Sequence, residues 1–303
     1  RSGSTLLQKI LLSSDGIETL PEPWFMFPVT SYLPDKIRYT DYGYKGYSNA
    51  YNAYNRQTKK ILNTELSLYT QNLYRNLAKN KNYFLDKTPR YHLIVDDIHK
   101  ISKNGKFIYL TRSPEDIFIS YINLFCKNGF YRFYSNNIDL KYGFRNISRS
   151  FLKHKKKSLL IRYEDLLNNS DSSNNQLIKY LRTPFNKNKN FDYNKIMNSI
   201  WTKNEKSKVS KTSSIDSNKK LFSFITSYHR KYFLIKFIKN LDNEYLEIGN
   251  YDRNEILNKI KSINTFKIFI FKDIFQLFIS FLVVAFNLNL FKKKNKIFDI
   301  HIK

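Results

Sequence analysis

Arg1-Ser2-Gly3-Ser4-Thr5-Leu6 brings a guanidinium, hydroxyls and a glycine to the mouth of a helix-forming run. Gly3 has no Cβ to obstruct a tight turn or a close ligand. The first amides of the helix that follows have no intrahelical partner. With the axial dipole they make a seat for phosphate or sulfate oxygens, to which Arg1 adds a fork of donors and Ser4 and Thr5 add hydroxyls. A serine-rich helix cap with no ligand has the same composition. A second group of this kind is Arg112, closing an apolar run, with Ser120 eight positions on, about two turns into a helix. Together they can grip one phosphate from two sides. The plainer readings are a strand-end ion pair for Arg112 and a small residue between helices for Ser120.

The elements that must position these groups follow from spacing. Leu6, Leu7, Ile10 and Leu11 predict a helix over 5–14, which Asp15 and Gly16 end. Residues 17–20 read as a strand, and Pro21-Glu22-Pro23-Trp24 turns away from its end. Such strand ends beside a nucleotide loop are where open α/β sheets keep their ligands. Residues 24–46 read as aromatic-rich loop, 50–78 as a helix and 83–85 as a brief strand. Pro89, in Asp86-Lys87-Thr88-Pro89-Arg90-Tyr91, suits a first helical turn. The clearest strand is 106–111, followed by Ser113, Pro114, Glu115 and Asp116 as cap and first turn of an apolar helix reaching 125. Another strand spans 158–163. Strands bounded by helices, with contiguous rather than alternating apolar residues, predict an α/β fold of three layers around a central parallel sheet.

Further on, 203–220 is a long polar stretch rich in Ser and Lys, 221–241 a basic amphipathic helix, and Gly249-Asn250-Tyr251 the close of a domain over 1–252. The tail, 253–303, differs. Residues 274–291 carry no charge and Lys292-Lys293-Lys294 follows. That is short for a membrane span; an interfacial helix anchored by lysines, or a helix packed on protein, are the other readings. A membrane contact through 267–296 is therefore an expectation.

Lys and Arg outnumber Asp and Glu by 52 to 25, a net charge of +27. That field draws in nucleotides, anionic sugars, acidic peptides or anionic lipid, although the whole chain is biased toward Lys, Asn, Ile, Tyr and Phe. The basic run Lys153-His154-Lys155-Lys156-Lys157 reads as a solvated helix end, so no nucleic acid is expected. The single cysteine, Cys126, excludes an intrachain disulfide and a cysteine metal cluster; its apolar setting predicts a buried thiol. His92, His99, His154, His229 and His301 are scattered without zinc spacing. The first loop lacks the Gly-Lys-Ser/Thr ending of a Walker A sequence. A metal-free mechanism is expected, with charge met by Arg and Lys.

In their order these motifs resemble the sulfotransferases that use 3'-phosphoadenosine 5'-phosphosulfate (PAPS), in the branch with tyrosylprotein, glycan and bacterial members. Arg1-Ser2-Gly3-Ser4-Thr5-Leu6-Leu7 is similar to the family's 5'-phosphosulfate loop, normally preceded by a strand and a proline; the resemblance implies that a first strand lies upstream of Arg1. Leu110-Thr111-Arg112-Ser113-Pro114-Glu115-Asp116 through Ser120-Tyr121 resembles the 3'-phosphate motif, and Arg162-Tyr163-Glu164-Asp165-Leu166 a family strand-turn. The likeness runs to about Tyr251. It implies a P-loop-like core and a Lys/Ser-rich segment over the nucleotide, with Lys211 and Ser214 among its contacts.

It also implies roles. Glu22, 21 positions after Arg1, is the general base for an acceptor hydroxyl, with Pro21, Pro23 and Trp24 as poorly hydrated neighbours and Glu18 as its rival. Lys87 meets charge on the bridging oxygen, helped by Arg1. Ser207, after Glu205-Lys206, is the late donor, with Ser210, Ser213 and Ser214 as contenders. The reaction implied is in-line transfer to a hydroxyl of a glycan, a protein tyrosine or a small molecule, leaving adenosine 3',5'-bisphosphate. The tyrosines around 24–54 shape the acceptor pocket. A kinase of the same broad fold, a basic binding module and an inactive nucleotide-binding relative are the alternatives. The compartment is bacterial cytoplasm or membrane face, or a Golgi lumen for a eukaryotic source.

Overall fold

The computed structural model describes residues 3–33, 44–126, 129–168, 170–185, 217–268 and 270–286. Helix α1 (Ser4–Leu11) starts on Gly3, whose φ of 93° is a left-handed value that side-chain-bearing residues reach only at a cost. The Gly3 carbonyl accepts from the amides of Leu6 at 2.9 Å and Leu7 at 3.2 Å. Leu7, Gln8 and Leu11 form the buried face.

Strand β1 (Ile17–Pro21) pairs in parallel with β2 (Tyr83–Lys87), setting Ile17 beside Tyr83 and Pro21 beside Lys87. Between them lie α2 (Met26–Thr30) and α3 (Tyr44–Leu77). A 3₁₀ turn over Pro89–Leu93 and α4 (Val95–Ile101) lead to β3 (Phe107–Thr111). After α5 (Pro114–Phe125), α6 (Phe133–Asn136) and α7 (Ile138–His154), strand β4 (Ser158–Arg162) pairs in parallel with β3, Thr111 beside Arg162. Helices α8 (Tyr163–Asn168), α9 (Ser170–Leu181), α10 (Ser217–Phe224), α11 (Tyr228–Lys239), α12 (Asn243–Gly249), α13 (Arg253–Lys261) and α14 (Phe271–Ala285) complete the order.

The expected three-layer α/β fold with a central parallel sheet is not what forms. Among the described residues the chain is predominantly helical, and the strands make two separate two-stranded ladders. The strand segments were legible as apolar runs, but such a run does not encode how many neighbours it acquires. Lys81 Nζ donates to the Ile17 carbonyl, and Thr19 Oγ1 to the Leu85 carbonyl at 2.7 Å. The Tyr180 hydroxyl accepts from the Phe107 amide at 2.8 Å and stands 3.1 Å from the Phe107 carbonyl. Two further expectations change. Residues 24–46 include the helix α2, and the single helix expected over 221–241 is divided, because Ser227 caps α11 by accepting from the Arg230 amide.

The chain divides into two units. The first comprises Arg1–Ser113, Tyr142–Ser214 and Leu241–Asp252. Leu7, Leu11, Ile17, Ile161, Leu166, Leu177 and Leu181 make its main core, with Leu85, Ile108, Leu110 and Leu159 packed against it. Each fully buried aliphatic side chain contributes about 1.5–3 kcal/mol. Buried Gln8 is satisfied by donating to Thr19 Oγ1 at 3.0 Å, which fixes α1 to β1. A second cluster, Met26, Phe27, Val29, Leu33, Ile94, Ile98 and Ile101, seats α2 on α4. The other unit comprises Pro114–Lys141, Ile215–Asn240 and Arg253–Lys303. Its core is aromatic: Phe118 meets Phe224 edge-on at 5.9 Å and Phe237 at 4.7 Å. Cys126 is fully buried there, and burial pushes its thiol up to about 11.

Candidate active site

The β1–β2 ladder ends at Pro21 and Lys87, which face each other in register. Proline has no amide to extend a ladder, so the chain turns at the next residue, Glu22. Lys87 Nζ donates to Glu22 Oε1 at 3.1 Å, the lysine side chain 13% exposed and the glutamate 28%. Glu22 has φ 40° and Trp24 has φ 59°. A residue before proline is normally extended, so the conformation at Glu22 stores strain that its surroundings must hold. The Trp24 ring stacks on Phe27 at 5.3 Å, and Phe27 meets Tyr91 at 5.6 Å, forming an apolar wall beside the turn.

What holds the turn is a residue whose role sequence reasoning missed. Asp86, immediately before Lys87, is half-buried and accepts from Tyr74 Oη at 2.6 Å, Tyr91 Oη at 2.9 Å and Thr88 Oγ1 at 3.2 Å. Burial raises its pKa above the ordinary carboxylate range, against the pull of the three hydroxyls. Burial and the Asp86 charge push the Tyr74 phenol well above its usual value too. The same hydroxyls reach the turn: Thr88 Oγ1 accepts from the Trp24 amide at 3.4 Å, and Tyr91 Oη from the Met26 amide at 3.0 Å. Asp86 thus ties the end of β2 to the backbone on the far side of Glu22. Its place in Asp86-Lys87-Thr88-Pro89 was the available signal, but the donors come from α3 and the 3₁₀ turn. Glu18, the rival base, pairs with Lys81 at 3.0 Å near the start of the ladder.

A second constellation gathers around Tyr163, at the start of α8. An added Cβ on Gly3 would run into ring carbons Cδ2 and Cε2 of Tyr163. The Arg112 guanidinium lies 4.4 Å from the centroid of the same ring. One aromatic side chain therefore touches both the N-terminal loop and the end of β3, placing Gly3 and Arg112 in one neighbourhood. Arg112 is 6% exposed, and its backbone exchanges two hydrogen bonds with Tyr245 Oη, at 3.1 and 2.8 Å. The next amide, of Ser113, donates to Glu164 Oε1 at 2.8 Å, while Glu164 Oε2 accepts from Tyr251 Oη at 2.9 Å. Arg162 lies over the Tyr251 ring at 5.1 Å. Tyr163, Glu164 and Tyr251 belong to the sequence motifs, but nothing in the spacing showed what they touch.

The donors at this second place suit phosphate oxygens. They are the guanidinium of Arg112, the amides opening α1, and the buried Ser113 Oγ, which has no hydrogen-bond partner among the described residues. Ser4, Thr5 and Leu6 form the first turn of α1, and Ser120 lies half-buried on α5 in the other unit. Arg1, Ser2, Ser207, Lys211 and Ser214 lie outside the described residues. Among the described residues no group of His, Cys, Asp and Glu is arranged to hold a metal ion.

Residues 1–187 match the sulfotransferase family. The chain belongs to this family. No curated protein and no solved structure matches it. The matched span holds both strand ladders, the Glu22–Lys87 pair, and Gly3, Arg112 and Tyr163, while Tyr245 and Tyr251 lie beyond it. Family membership supports a PAPS-dependent sulfotransferase reaction in general terms, with a hydroxyl-bearing acceptor.

Proposed function

We propose that this sulfotransferase uses PAPS to sulfate a hydroxyl of a glycan, a protein tyrosine or a small molecule, with Glu22 and Lys87 as its central catalytic pair. The observation that carries the reading is the 3.1 Å contact between Lys87 Nζ and Glu22 Oε1 at the shared end of two parallel strands. A base and a cation held side by side suit a reaction that removes a proton from one oxygen while charge accumulates on another. Bound PAPS supplies an electrophilic sulfuryl group on a phosphate leaving group. Glu22 takes the acceptor proton onto a carboxylate oxygen, and Lys87 keeps its own protons and presents an ammonium to the departing charge. The packed rings of Trp24, Phe27 and Tyr91 lie beside the turn that carries the carboxylate.

Arg1, Ser2, Gly3, Ser4, Thr5 and Leu6 are proposed to hold the 5' end of the donor. The buried Arg112 supports a 3'-phosphate contact, in which Ser120 takes part on the strength of its motif alone. Ser207, Lys211 and Ser214 complete the set by resemblance. The test is calorimetric titration of the chain with adenosine 3',5'-bisphosphate, repeated on Arg112→Ala. Binding by the parent and a loss of about tenfold or more in the variant is expected, as for a buried charge-assisted phosphate contact. Equal binding by both proteins removes Arg112 from the site. Turnover with ATP and magnesium but not with PAPS replaces the proposal with a kinase.

A further inference from the structure

Helix α14 is amphipathic in the inverted sense. Asp273, Gln276 and Ser280 face the rest of its own unit. Asp273, fully buried, accepts from Arg230 Nε at 2.5 Å and Nη2 at 2.8 Å. Gln276 Oε1 accepts from the Phe130 amide at 2.8 Å, and the buried Ser280 Oγ from the Tyr134 amide at 2.9 Å. The other face carries Ile274, Phe275, Phe278 and Phe281 at three- and four-residue spacing. They are 42%, 64%, 57% and 55% exposed. Phe266 and Ile268, just ahead of the helix, are exposed as well. Rolling α14 to bury its phenylalanines would strip Asp273 and Arg230 of each other inside the protein, which is strongly unfavourable. The polar anchors therefore commit the apolar face outward.

We propose that this face docks on an anionic membrane surface, with α14 lying in the plane of the interface. Lys267 and Lys272 are exposed beside the phenylalanines and suit anionic headgroups. A net charge of +27 opposes close approach of a second copy and favours an anionic surface. The helix has 15 residues, about 22 Å of rise against about 30 Å of hydrocarbon. It is thus suited to lying on the bilayer. Among the described residues no helix is long and apolar enough to cross a membrane.

The test is co-sedimentation of the full chain with vesicles of equimolar phosphatidylcholine and phosphatidylserine, and with phosphatidylcholine alone. The parent is expected to sediment with the mixed vesicles and far less with the neutral ones. The double variant Phe275→Ser/Phe278→Ser is expected to lose about tenfold or more in partitioning. A Phe278→Trp variant should shift its emission to the blue when mixed vesicles are added. Equal sedimentation of parent and double variant, or equal binding to both vesicle types, overturns the proposal. So does a parent that ignores vesicles and forms a dimer which the double variant abolishes, since a second copy then covers the face. An unmoved Phe278→Trp spectrum overturns it independently of how the double variant folds.

Discussion

Glu22 and Lys87 are 65 residues apart in sequence and in contact in space. Removing the carboxylate charge while keeping its shape tests its role directly. Glu22→Gln should lower kcat for sulfuryl transfer by about 10²–10⁴-fold, the usual scale for a positioned base. Affinity for adenosine 3',5'-bisphosphate should stay within about twofold, because the role proposed for Glu22 is on the acceptor side. A variant that keeps parental kcat shows that the proton goes elsewhere. These two residues were reachable from the sequence by resemblance, since strand-end position and proline neighbours are local features. Asp86 was not, because its importance lies in two tyrosine donors that arrive from other elements.

The short strands and the segments following them act as one framework for the turn at Glu22. Asp86 fixes Thr88 and Tyr91, and these fix the amides of Trp24 and Met26. Asp86→Ala leaves several buried hydroxyls without an acceptor and should cost about 2–5 kcal/mol in denaturant unfolding. Asp86→Asn keeps one acceptor oxygen and should recover part of that loss. Asp86→Ala should also lower kcat at temperatures where the variant is folded, through a Glu22 turn that is no longer held. Unfolding curves for Asp86→Ala that overlay the parent would remove this residue from the framework. The ladders show how far elements were legible. The strand segments read at 17–20, 106–111 and 158–163 marked the positions of β1, β3 and β4 closely. Separation into two ladders was hidden, because a strand-forming run does not encode which strands it pairs with.

Stability of the whole molecule should depend on pH through a cluster joining α4, β3 and α7. His99 is stacked between Phe107 at 3.6 Å and His154 at 3.7 Å, and its Nε2 lies 2.8 Å from Tyr109 Oη. Tyr109 Oη meets Ser150 Oγ, which donates to Asp96, and Lys153 also holds Asp96. Burial, then the neighbouring charges of His154, Lys153 and Lys157, pull His99 down from 6.5 to about 4, with Asp96 opposing. The unfolded chain therefore binds the proton more readily. Stability from this group is present above about 6.5 and is lost as pH falls toward about 4. Thermal melts across that window should show a falling midpoint in the parent and a flatter profile in His99→Gln; equal slopes would show that the cluster does not govern acid sensitivity. By itself the sequence determined the apolar runs, the missing Walker lysine, the order of the motifs that resemble the family and the uncharged stretch 274–291, all of which are properties of neighbours along the chain. Only the tertiary structure decided that Asp86 is a hub, that Tyr163 touches both Gly3 and Arg112, and that α14 turns its phenylalanines outward. Those outcomes depend on which polar groups meet through space. A buried donor or acceptor must find a partner wherever the fold provides one, however distant it is in sequence.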